Sequence, residues 1–202
     1  MITITINDRE FKVANSYDEL SLGQYVDIMK LSEKNIKNST ESDIEMISVL
    51  SDDKDGIRPL LWEFNVSDFD ELTKLFSWVA DSDYLEHLKG LKPKESIIVD
   101  GVEYGIISDF NKQMSLGEVI SFETLIKQEN SDHHKLEIAF GVLLRPIENG
   151  KLVKFSEDVF QNVIKNKYKV NMTDVYSVIV FFLSGGTKST TRFTKAFSVR
   201  DN

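Results

Sequence analysis

Ser96-Ile97-Ile98-Val99-Asp100-Gly101-Val102-Glu103-Tyr104-Gly105-Ile106 reads as two short strands around an Asp-Gly turn, and Ser115-Leu116-Gly117-Glu118 follows as a helix start. Asp-Gly supplies the left-handed backbone that a two-residue hairpin turn needs. Ser115 and Glu118 stand at capping-box spacing. The serine oxygen can accept the N–H three residues on, and the glutamate can reach back to the serine N–H. Val119, Ile120, Phe122 and Leu125 are the expected apolar face of that helix.

The same phrase stands earlier in the chain. Ile2, Ile4 and Ile6 alternate with Thr3 and Thr5, Asn7-Asp8 offers the turn, and Phe11 and Val13 resume the alternation. Ser21-Leu22-Gly23-Gln24 is then a second capping box, opening a helix with Tyr25, Ile28, Met29 and Leu31 on one side. The hairpins lie 93 residues apart and the capped helices 94, so one residue is inserted between them. The spacing indicates an internal repeat of hairpin, loop and capped helix. The two hairpins either share one small antiparallel sheet or head two similar lobes.

Between the copies, helices are expected from Asp43 to Leu50 and after a Ser67 cap, where Phe69, Leu72, Leu75, Phe76 and Val79 keep helical spacing. Lys89–Lys94 reads as a linker. Beyond the second copy, Lys135–Leu144 is apolar on one broad face and stops at Arg145-Pro146, because the residue before proline avoids α conformation. Ser156 caps a helix with Val159, Phe160 and Val163. Asn171-Met172-Thr173-Asp174 opens a last helix, the expected central one, ended by Gly185-Gly186. The fold class is therefore α+β and mostly helical. One compact domain is expected over residues 1–186, with 1–92 and 93–186 as sub-lobes. Residues 187–202 form a basic, Ser/Thr-rich tail.

At 202 residues, with 41% hydrophobic and 28% charged side chains, the chain can bury a substantial core. It has no cysteine, which excludes disulfides, thiolate metal sites and thiol catalysis. The longest apolar run, Val178–Leu183, is far below the ~20 residues of a membrane span. The net charge is −9, and residues 1–95 (11 basic, 20 acidic) hold all of it, against 13 and 13 afterwards. An acidic body repels phosphate backbones, so no direct nucleic-acid binding is expected.

Candidate chemical sites are weak. Gly185-Gly186-Thr187-Lys188-Ser189-Thr190 lacks the glycine spacing of a phosphate loop and trails a helix instead of opening one. Ser51–Gly56 resembles the start of a calcium loop, but Trp62 stands where the bidentate glutamate belongs. His133 and His134 are adjacent and diverge on a helix, and His87 is alone. No catalytic, metal or cofactor-binding residue is assigned, and the chain reads as a non-enzyme. The partner-binding candidates are Lys188, Arg192, Phe193, Lys195, Phe197 and Arg200 in the tail. Phe193 and Phe197 either pack back on the body or anchor a partner.

The order of elements resembles a family. The phrase Tyr17–Tyr25, the second hairpin before Ser115–Glu118, Leu143-Leu144-Arg145-Pro146-Ile147 and Phe181-Phe182-Leu183 together resemble small acidic virion or tail-associated proteins of Bacteroides-type tailed phages, including crAss-like phages. The resemblance covers roughly residues 1–186, and no single motif in it is diagnostic. It implies a cargo-type virion protein of the tail or portal region, or alternatively a tail-assembly chaperone that stays in the host cytoplasm. The implied partners are other virion proteins or further copies of the chain. The implied location is the host cytoplasm during assembly and then the virion.

Overall fold

Asn7 and Asp8 both take positive φ (49° and 61°), and they fold β1 (Ile2–Ile6) back on β2 (Arg9–Val13). Asn and Asp tolerate this left-handed region better than other residues with a side chain. Asp100 and Gly101 (52° and 77°) do the same between β3 (Ser96–Val99) and β4 (Val102–Ile106). A third hairpin turns at Asn149-Gly150 (52° and 73°), between β5 (Leu144–Glu148) and β6 (Lys151–Leu152). The computed structural model describes residues 1–34, 36, 38–80, 94–107 and 109–183. Over these the chain is a mostly helical α+β fold with two small antiparallel sheets.

The two hairpins of the repeat do not share a sheet. β1–β2 stays two-stranded, whereas β4 pairs with β5 to give the order β3-β4-β5-β6. Both capping boxes form as expected, at Ser21 for α1 (Leu22–Glu33) and at Ser115 beyond a short α5 (Phe110–Gln113). α2 (Ser39–Leu50), α3 (Lys54–Leu61) and α4 (Val66–Lys74) follow the first box. α6 (Leu116–Gln128), α7 (Asp132–Leu143), α8 (Glu157–Lys165) and α9 (Met172–Leu183) complete the helices.

The repeat extends further than the sequence phrase. α2 and α7 occupy equivalent places, again 93 residues apart, and each returns its last residues to its own hairpin. The Ala14 N–H donates to the Leu50 carbonyl at 3.0 Å, and the Ile107 N–H donates to the Leu143 carbonyl at 2.8 Å. Val13 bridges Ser51 as Ile106 pairs with Leu144. The copies differ after that point, where the first stops at a bridge and the second runs on into β5 and β6.

Several expectations change in detail. α4 is capped by Asn65, whose Oδ1 accepts the Asp68 N–H at 2.9 Å, and not by Ser67. Phe69, Leu72 and Phe76 are buried as expected, but Leu75 is 53% exposed. The chain then tightens into a 3₁₀ turn at Ser77–Ala80, held by the Tyr17 hydroxyl donating to the Val79 carbonyl at 2.6 Å. Within Ser51–Gly56, Asp53 caps α3, accepting the Gly56 N–H at 2.9 Å. The helix before Arg145-Pro146 ends at Leu143, and what replaces it is a strand.

Among the described residues the helices form a row, α3–α2–α1–α7–α6, with neighbours in contact. α7 is its hub, touching α1, α6, α8, α9 and β5. α9 lies across α1 and α7, and Val175 and Ile179 are fully buried on it. One apolar cluster runs through both halves, from Leu22 and Leu50 to Phe140, Leu143 and Val175. The halves are also tied at the backbone. The Leu22 N–H donates to the Val170 carbonyl (2.8 Å), and the Met172 N–H donates to the Leu20 carbonyl (2.9 Å). The linker Lys89–Lys94, except Lys94, and the Gly185-Gly186 stop lie outside the described residues.

Candidate functional site

Each capping box borders a cleft, so the repeat places two clefts at equivalent positions. Beside the first, the Gln24 Oε1 accepts the Ser21 N–H at 3.0 Å, while its Nε2 donates to the Val49 and Leu50 carbonyls at 3.2 and 3.1 Å. This knits the start of α1 to the end of α2. The adjoining cleft, about 620 Å³, is lined by Asp27, Asp52, Asp55, Lys54 and Tyr168. The Tyr168 hydroxyl donates to Asp27 at 3.0 Å, and burial together with the Asp27 charge raises its pKa. Lys54 and Lys30 each approach Asp27 at 3.5 Å.

Beside the second box, Glu118 takes the place of Gln24. Its Oε2 accepts the Ser115 N–H at 2.6 Å and its Oε1 the Phe155 N–H at 3.0 Å. Arg145, 1% exposed, holds its Nη1 3.6 Å from Glu118 and stacks over the Phe155 ring at 4.6 Å. The Arg145 Nε donates to the Val142 carbonyl at 2.9 Å. The cleft here, about 460 Å³, also has Lys112 and Lys154 on its rim. Burial pushes the Glu118 carboxyl upward, but hydrogen bonds from Ser115 and Phe155 and the Arg145 charge outweigh it and hold the group below its ordinary value.

Asp52 and Arg145 are also 93 residues apart, and their strand partners Lys12 and Gly105 match as well. The duplicated scaffold therefore carries opposite charges at one register position. Sequence reading missed Arg145 and its partners. The traceable signals were Glu118 in place of Gln24 and an arginine at the end of an otherwise apolar helix.

Chemically, the second cleft is a strut. Arg145 lines the cleft, yet its outer nitrogens are buried and make no hydrogen bond among the described residues. Glu118 stays ionised and is occupied on both oxygens, which suits neither a general acid nor a nucleophile. Asp43 is a carboxyl that moves upward, through burial and then the neighbouring Asp70 charge, in an apolar hollow of about 390 Å³ beside Met46, Phe76 and Val79. No group of three or more His, Cys, Asp or Glu side chains placed to hold a metal occurs among the described residues. His133 and His134 open α7 with rings 4.1 Å apart, closer than divergence along a helix suggests, but they engage different carboxylates, Glu33 (2.8 Å) and Glu129 (3.2 Å).

The tail candidates Lys188, Arg192, Phe193, Lys195, Phe197 and Arg200 lie outside the described residues, as do His87 and the Gly185–Thr190 segment. No helix among the described residues is long and apolar enough to cross a membrane. No family model, curated protein or solved structure matches the chain.

Proposed function

We propose that the chain is a non-enzymatic phage virion protein, held in the tail or portal region, that works by touching other proteins and further copies of itself. The observation that carries this reading is the charge contrast between the equivalent clefts. The first module sets three carboxylates, Asp27, Asp52 and Asp55, against the single lysine Lys54 around its cleft, whereas Lys112 and Lys154 rim the second and the tail adds further cations. Opposite surfaces on one chain favour head-to-tail contact between copies and speed their encounter. The resemblance in the order of elements supplies the virion context.

Purified particles of the encoding phage, analysed by mass spectrometry, are expected to yield peptides of this chain. Their absence from the particle, with abundance in infected cytoplasm, would leave the assembly-chaperone reading in its place. Removal of Lys188–Asn202 is expected to leave the chain folded but to weaken self-association in sedimentation velocity. A truncated chain that precipitates would make the tail part of the core.

A further inference from the structure

Leu22 and Val26 on α1 are completely buried, yet their equivalents on α6, Leu116 and Ile120, are 67% and 54% exposed. The difference lies in what flanks each helix. α1 is covered by α2, α7, α9 and a 3₁₀ turn at Lys167–Lys169, whereas α7 is the principal helical neighbour of α6. The backbone repeats the contrast. The Leu22 N–H and Leu20 carbonyl are bridged to Val170 and Met172, but no other segment among the described residues bridges the equivalent Leu116 N–H and Met114 carbonyl. One end of the helix row is closed by α3 on α2, and among the described residues no further helix closes the other end.

The segment covering α1 has a readable signature. Met172, Val175 and Tyr176 stand at i, i+3 and i+4, all buried, with the Tyr176 ring edge-on to Tyr25 at 5.6 Å. The C-terminal segment holds Phe193, Ala196 and Phe197 at the same spacing, with Arg192 and Lys195 off that stripe. It departs from α9, which packs on α7, the helix that also carries α6. The ten residues from Leu183 to Phe193 can span about 33 Å, roughly twice the ~17 Å radius of gyration expected for a chain this long.

We propose that the chain's own C-terminal segment, residues 188–202, seats Phe193, Ala196 and Phe197 on the α6 face opened by Leu116 and Ile120. Tethering favours this intramolecular closure over capture of a neighbour's segment, because a short linker sets a millimolar effective concentration. The basic residues off the stripe are then displayed on the surface, fixed in place for an acidic partner.

The chain has no cysteine, so Ser198→Cys gives a single site for a nitroxide label. In dilute full-length protein, the Leu116 and Ile120 methyl signals are expected to lose most of their intensity through paramagnetic relaxation. Phe193→Ser with Phe197→Ser in the labelled chain should restore them. Unbroadened methyls in the labelled parent would overturn the docking. So would equal broadening in a mixture of isotope-labelled chain and spin-labelled unenriched chain, which would assign the segment to a neighbour. Neither result bears on whether the chain is in the particle, which mass spectrometry decides separately.

Discussion

Phe140→Ala is expected to lower the unfolding free energy by about 3–5 kcal/mol, the range for emptying a phenylalanine site in a close-packed interior. Phe140 is fully buried on α7, the hub helix, where the two modules meet. A domain of this kind has only about 5–15 kcal/mol in total, so the variant sits near the edge of folding. Its equivalent in the first module, Ile47, is 1% exposed on α2, away from the seam between modules. Ile47→Val removes a single methylene there and should cost only ~1 kcal/mol. Urea melts check both. A Phe140→Ala midpoint close to the parent value would mean that the hub is packed differently from this description.

Glu118→Ala is expected to cost about 3–5 kcal/mol, because it strands a buried cation. Three things are lost together: the reach-back half of the capping box, the acceptor for the Phe155 N–H, and the counter-charge of Arg145. Arg145→Met, which removes the charge and keeps the bulk, should cost markedly less. Adding it to Glu118→Ala should recover part of the loss, and a double-mutant cycle reads the coupling directly. Additive costs would show that the pair is no strut. The pH dependence has a fixed sign. Glu118 binds its proton less readily in the folded state, so its contribution is complete above the ordinary glutamate range near pH ~4.3 and fades as pH falls through the lower folded value. The stability gap between the parent and Glu118→Gln should thus be flat from neutral pH downward and close only in acid.

The parts of this fold that could be read from sequence are those fixed by local chemistry. The two hairpins of the repeat were marked by Asn7-Asp8 and Asp100-Gly101, and the two helix starts by Ser21…Gln24 and Ser115…Glu118, each specified within a few residues. The third hairpin carries an equally strong mark, Asn149-Gly150, but Arg145-Pro146 reads as the end of a helix and hides it. Pro146 is tolerated in β5 because a strand needs only its carbonyl there, and that carbonyl accepts the Val153 N–H at 2.9 Å. α3 was hidden by Gly56 and Pro59, poor helix residues that its Asp53 cap overrides. On α6, Ile120 and Leu125 belonged to the expected inner face yet are 54% and 37% exposed, while Ile126 is buried. Which side of a helix turns inward is settled by its neighbours, and a single helix carries too little information to choose. Arg145 was invisible for the same reason, since its burial depends on Glu118 and Phe155, which approach from other elements.

The reversed charge at positions 52 and 145 bears on how a duplicated chain avoids misassembly. Two modules with matching hairpins and matching return helices invite exchange, within a chain or between nascent neighbours. A swap would carry the Arg145 guanidinium away from Glu118 and into a module whose capping residue is the neutral Gln24. It would also set the Asp52 carboxylate against Glu118. The second pairing is the costly one, because it sets two carboxylates together at the place where Arg145 is buried. The two halves are thus keyed as differently as a plug and its socket, although their backbones follow the same path.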